Sequence, residues 1–430
     1  MSAAIREIRN DRVREHYYEI DHPSGLRILL YPKEHNSSTY AVFGTHYGSI
    51  DTTFRVEGEE PCTVPEGIAH YLEHKLFESE DGDAFERYAK TGASANAYTS
   101  FDRTCYLFSC TDRFYESLEI LLDFVQKPYF TEETVRKEQG IIGQEIRMYD
   151  DDPQWRVMFN LLDSLYHTHP VKIDIAGTVE SIAKITPDYL YQCYRTFYNL
   201  HNMVLCVAGR FDVQKVLDLC DRLLIPSKPQ RIERIFRPEP PEIVRSRVEE
   251  KLSVAMPMFQ LGFKESVTGA GRITTEKDAA TDVLLEALAG DASPLFRRLL
   301  DAGLINESSF GYEYFEGDGY ASVIFSGDSR DPDRTAEAIR REIASMRENG
   351  LSQESFERAK KAIYGRTVAS LNSVENIANG LAAMAFSGRG LFEYFDCVAN
   401  LTREDVVRRL EEQLLPQYSA LSVILPLDES

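Results

Sequence analysis

Two histidines four residues apart with a glutamate between them, His70-Tyr71-Leu72-Glu73-His74, are the residues of this chain best placed to do chemistry. On a helix, side chains at i and i+4 leave one face a single turn apart, so both imidazoles can bind one zinc ion. Glu73 lies beside them. A carboxylate there can take a proton from a water whose pKa the metal lowers to about 7. This is the inverted order of the commoner HExxH zinc motif. A zinc site of this kind needs a third protein donor. Downstream, VRKEQGIIGQEIRMYDDDP offers Glu138 and Glu145, seven residues apart and so on one helical face. One of them can bind the metal while the other orients a histidine.

The elements that must position these residues follow from pattern. Pro65 and Glu66 suit a helix start, and Ile68, Leu72 and Leu76 supply an apolar stripe, which predicts a helix from Glu66 to Phe77. Further helices are expected from Asp83 to Lys90, Arg113 to Gln126 and Glu132 to Met148. Strands are expected from Leu26 to Pro32 and Thr39 to Gly48, with a strand pair around SANAYTS and TCYLFSC. This mixed order predicts an α+β fold, an antiparallel-rich sheet with helices packed on one face, rather than a doubly wound parallel sheet.

The chain also repeats itself. TPDYLYQCYRTFYNLHNMVLCVAG from Thr186 overlays TREDVVRRLEEQLLPQYSALSVIL from Thr402, each a helix followed by an apolar strand. FTEETVRKEQGIIGQEI from Phe130 likewise overlays LSQESFERAKKAIYGRT from Leu351. A tandem duplication follows: two homologous sandwich domains over residues 1–225 and 249–430, joined by a proline- and charge-rich linker at 226–248. In the overlay Glu138 falls on Ala359 and Glu145 on Arg366, and TDVLLEALAGD, the counterpart of the histidine helix, contains no histidine. The first domain is therefore expected to be catalytic and the second to lack a zinc site.

HYLEHKLFE, followed by an EQGIIGQEI helix with two glutamates seven apart, resembles the insulinase and pitrilysin family of zinc peptidases, the inverzincins. The resemblance extends over nearly the whole chain. It implies that His70, His74 and Glu145 bind one Zn2+, that Glu73 is the general base of a metalloendopeptidase, and that Glu138 supports the site from behind the ligands. It gives GASANAYTSFDRTCYLF the role of an edge strand whose backbone pairs with a peptide substrate, with Asn96 and Ala97 as contacts; the physics is β-augmentation. It implies a closed chamber built from four homologous halves, two from this chain and two from a partner. Family members also carry an Arg and a Tyr in a segment like SPLFRRLLDAGLINESS, where Leu300 and Asn306 stand here. A dimer is thus expected, either a heterodimer with a homologue that lacks HxxEH but carries the Arg and Tyr or a homodimeric peptidase without that grip. The chain resembles the zinc-bearing subunit of bacterial two-chain members and the beta type of the mitochondrial processing peptidase. A non-catalytic assembly protein of the same fold is the competing reading, against which the intact HxxEH and Glu145 argue.

Composition limits the alternatives. All nine histidines fall at or before His201, which confines histidine chemistry to the first half. A net charge of -21 repels a phosphate backbone and excludes nucleic acid as an expected partner. The seven cysteines form no CxxC pair and read as free thiols of a reducing compartment. The charged N-terminus lacks an apolar signal core and no apolar run is long enough to span a bilayer, so a cytoplasmic protein is expected. His167-Thr168-His169 lacks a nearby third ligand and reads as a loop.

Overall fold

The computed structural model describes residues 4–80, 82–267, 269 and 271–428. They form two compact units of helices and antiparallel-rich sheet. The first gathers the chain up to Ile146, Asp174–Ile235 and Val368–Phe392; the second gathers Arg147–Ile173, Phe236–Thr367 and the chain from Glu393 on. The units therefore differ from the contiguous stretches 1–225 and 249–430 by one exchanged segment from each half, and the linker at 226–248 divides between them at Ile235.

The first unit holds a seven-stranded sheet of β1 (Ala4–Asn10), β2 (Glu15–Asp21), β3 (Arg27–Pro32), β4 (Thr39–Thr45), β5 (Ser94–Thr99), β6 (Thr104–Cys110) and β7 (Met203–Gly209). Their order is β1-β2-β3-β7-β4-β6-β5, with β3 and β7 the parallel pair. The second unit holds β8 (Arg247–Leu252), β9 (Met258–Glu265), β10 (Gly311–Gly317), β11 (Tyr320–Asp328) and β12 (Ser419–Pro426) in the order β8-β12-β9-β11-β10, with β8 and β12 parallel. This second sheet repeats β3-β7-β4-β6-β5 strand for strand. The hairpin β1–β2 is the first unit's addition.

Every residue of β4 and β7 is buried, so both faces of the first sheet are covered at its centre. Part of that cover is the exchanged helix Val374–Ser387, which packs on β4 and β7. In the second unit the exchanged helix Pro153–Leu165 packs on the equivalent strands β9 and β12. Glycine marks both contacts: a Cβ on Gly44 would lie 3.2 Å from the Phe386 ring, and one on Gly262 would lie 2.9 Å from Leu165 and 3.0 Å from Leu161. Superposing these two glycines fixes the register. Gly44 pairs with Cys105 and Cys105 with Tyr98, while Gly262 pairs with Ile324 and Ile324 with Glu313. Ala97 thus corresponds to Tyr312 and Thr99 to Tyr314.

The linker is ordered on both sides of its division. Ile232–Arg234 pairs with Thr53–Val56 in the first unit, and Arg234 Nε lies 2.7 Å from the buried Asp51 Oδ1. In the second unit the Glu239 carboxylate accepts the backbone N–H groups of His167, Thr168 and His169 at 2.8, 2.7 and 2.8 Å, and it pairs with the buried Lys264. The HTH tripeptide is the loop expected of it. His169 is buried, with Nε2 3.0 Å from the Asp318 carbonyl, and burial pushes its pKa down to about 4. All seven cysteines are unpaired. Among the described residues no helix is long and apolar enough to cross a membrane.

Candidate active site

The motif helix runs Ile68–Leu76, two residues shorter at its start than expected from Glu66. Gly67 has φ +85°, and a Cβ there would strike the Ala176 carbonyl, so the chain turns sharply before the helix begins. Tyr71 and Leu72 are fully buried, and the Tyr71 hydroxyl donates to the Val135 carbonyl of the helix Glu132–Asp150. This bond sets the roll of one helix against the other. His70 and His74 consequently face Glu138 and Glu145.

The two glutamates take different places. Glu145 Oε1 lies 3.7 Å from His70 Nε2, and Glu145 Oε2 lies 3.4 Å from His74 Nε2. Donors about 2 Å from one tetrahedral ion stand about 3.4 Å from each other. Among the described residues His70, His74 and Glu145 are the group able to hold a metal ion, with one donor atom from each within 4.8 Å of the others. Two imidazoles and a carboxylate suit zinc. Glu138 Oε1 instead lies 3.1 Å from His74 Nδ1. A carboxylate only accepts, so Nδ1 carries a proton, and in the neutral ring the lone pair is then on Nε2, the nitrogen that faces Glu145.

Electrostatics treats the two histidines differently. Burial, then the neighbouring His74, pushes His70 down to about 3, so its imidazole is neutral at pH 7 and has a lone pair to donate. For His74 burial acts downward too, but the Glu138 hydrogen bond and the charges of Glu73, Glu145 and Glu138 outweigh it and the pKa rises. Burial lifts the Glu73 carboxyl above its usual range, against the opposing hydrogen bond from Thr99. Glu138 is held below its usual range, because its bond and charge interaction with His74 outweigh burial.

A cleft of about 560 Å³ opens beside these groups, lined by Glu73, His74, Glu138, Asn96 and Ala97 among others. Asn96 and Ala97 lie on β5, at the free edge of the sheet, and Asn96 Oδ1 accepts the Ala97 amide at 2.9 Å. The apolar side of the cleft includes Phe77 and the half-exposed Ile141, neither singled out by sequence. Thr99 was also missed: its hydroxyl donates to Glu73 Oε2 at 2.6 Å. The sequence places Thr99 two residues past Ala97, but only the packing of β5 against the motif helix reveals its partner.

In the second unit Asp282 and Glu286, four apart on the helix Thr275–Ala289, stand in for His70 and His74, with Leu285 in place of Glu73. Arg366 replaces Glu145 and forms an ion pair with Glu286, which also accepts the Tyr312 hydroxyl at 2.6 Å. Asp282 accepts the Tyr394 hydroxyl. Leu300 packs against the core of this unit, and Asn306 Oδ1 is bonded by the Ser308 amide at 3.1 Å.

Residues 62–179 match the family described as Insulinase (Peptidase family M16), and residues 184–363 match the Peptidase M16 inactive domain. The chain is 40% identical to an uncharacterized zinc protease of Bacillus subtilis (strain 168), YmfH, with 98% of this chain and 99% of the relative covered. It is 25% identical to an Arabidopsis thaliana protein named as the probable beta subunit of the mitochondrial-processing peptidase, over 62% of this chain and 49% of that one. The structure of a putative M16-like peptidase from Alicyclobacillus acidocaldarius matches with a TM-score of 0.90 at 37% identity, covering 99% of each chain.

Proposed function

Because the chain belongs to the insulinase family of M16 peptidases, we propose that it is a zinc-dependent endopeptidase acting on peptides or unfolded segments held in a closed chamber. The observation that carries this reading is the convergence of His70, His74 and Glu145 within 4.8 Å, with Glu73 and the β5 edge on an adjoining cleft. His70, His74 and Glu145 would hold the ion, and Glu138 would keep His74 in the donating tautomer. When bound, zinc polarises the substrate carbonyl and acidifies water. The peptide lies along β5 and takes over the Ala97 amide from Asn96. Glu73 accepts a proton from the attacking water as the C–O bond forms, and returns it to the amine nitrogen as the C–N bond breaks.

With Leu300 and Asn306 where relatives carry Arg and Tyr, the grip on the peptide is completed by a second subunit, a homologue without HxxEH. An assembly role without catalysis would have no use for this donor set together with Glu73. The deciding experiment uses protein purified with whatever partner it carries from its own cells. Glu73→Gln is expected to keep its zinc and to lose peptide cleavage by a factor of about 10² or more. Cleavage at the unaltered rate by that variant would refute the assignment of the base.

A further inference from the structure

The hydroxyl of Thr99 stands between two oxygen partners, Glu73 Oε2 at 2.6 Å and Thr104 Oγ1 at 3.4 Å. The single hydroxyl proton of Thr104 goes to the Tyr47 carbonyl at 2.9 Å. Thr104 has none left to give, and the short bond to Glu73 takes the proton of Thr99. Glu73 is buried, at 9% exposure, and its long side chain has several rotamers to choose from. The Thr99 bond selects one. It also ties the helix that carries Glu73 to β5, two residues from Ala97.

From this geometry we infer that Thr99 is a positioning residue for proton transfer: it holds the Glu73 carboxylate by Oε2 in the orientation that meets the attacking water. The inference rests on the peptidase reading above and deepens it. The second unit supplies an internal contrast. There Tyr314 occupies the place of Thr99 and Leu285 that of Glu73, and the Tyr314 hydroxyl donates to Glu265 at 2.7 Å. Where no carboxylate stands at the base position, the hydroxyl of the matching strand serves another partner.

The test compares wild type, Thr99→Val and Thr99→Ser, each purified with whatever partner it carries from its own cells, in steady-state cleavage of a quenched-fluorescent peptide, with zinc content measured on the same preparations. Valine keeps the shape and removes the hydroxyl; serine keeps the hydroxyl. For Thr99→Val kcat is expected to fall about tenfold to a hundredfold, with KM within about twofold and zinc unchanged, while Thr99→Ser retains at least about half of kcat. A Thr99→Val enzyme with wild-type kcat overturns the inference. So does a serine variant as impaired as the valine one, which would trace the effect to packing, or loss of zinc from Thr99→Val, which would make Thr99 a support of the whole site. Zinc-loaded wild type that cleaves no peptide overturns the peptidase reading and this inference with it, whereas active wild type with an unaffected valine variant overturns the inference alone.

Discussion

The same three places in the two units hold opposite charge arrangements. In the first, His70 and His74 on one helix meet Glu145 on the next, with Glu73 and Glu138 close by. In the second, Asp282 and Glu286 meet Arg366. Two imidazoles and a carboxylate form a donor set that a cation from outside can complete. Two carboxylates facing a guanidinium carry their cation within the chain. Duplication thus kept the scaffold, and a few side chains decide whether a site takes up an ion or closes on itself. Leu285 in the place of Glu73 leaves the second unit without a carboxylate at that position as well.

That contrast can be strained at several points. Glu138 has no counterpart in the second unit, where Ala359 stands. Glu138→Gln, which leaves His74 without a carboxylate on Nδ1, is expected to weaken zinc binding about 10- to 100-fold in chelator competition. Unchanged affinity would show that the histidine needs no such support. In the second unit Arg366→Met leaves Glu286, at 9% side-chain exposure, with the Tyr312 hydroxyl as its remaining named donor. A loss of about 1–2 kcal/mol in denaturant melts is expected, between the values for an exposed pair and for a severed buried one, because little of the Glu286 side chain is exposed while the Arg366 side chain is 58% exposed. Zinc content should not change. A variant as stable as wild type would make the pair incidental. Smallest are Gly44→Ala and Gly262→Ala, which each push a Cβ against an exchanged helix and should each cost about 1 kcal/mol. If only one of them destabilises, the packing equivalence of the two sheets fails.

Sequence made the chemistry of the first unit readable because it is local. Four-residue spacing on a helix puts His70 and His74 together, and seven-residue spacing puts Glu138 and Glu145 on one face, without knowledge of anything distant. Which glutamate meets which ring nitrogen depends on the roll set by Tyr71 against Val135, a tertiary contact. The duplication was legible in two long segments. The exchange of Pro153–Leu165 and Val374–Ser387 was not, since an apolar stripe says that a face is buried and not which sheet buries it. The strand Ile232–Arg234 is three residues long and gains its identity from Thr53–Val56, far away in the chain. Thr99 belongs to the same class: its type and strand were evident, its bond to Glu73 was not.

The most direct test of the account is the zinc content of the purified chain after dialysis against a weak chelator, measured for wild type and His74→Ala by plasma mass spectrometry. One zinc per wild-type chain and almost none in the variant is the predicted result. Two ions per chain, none in wild type, or zinc retained by His74→Ala would contradict the claim that the first unit alone was kept as a metal site.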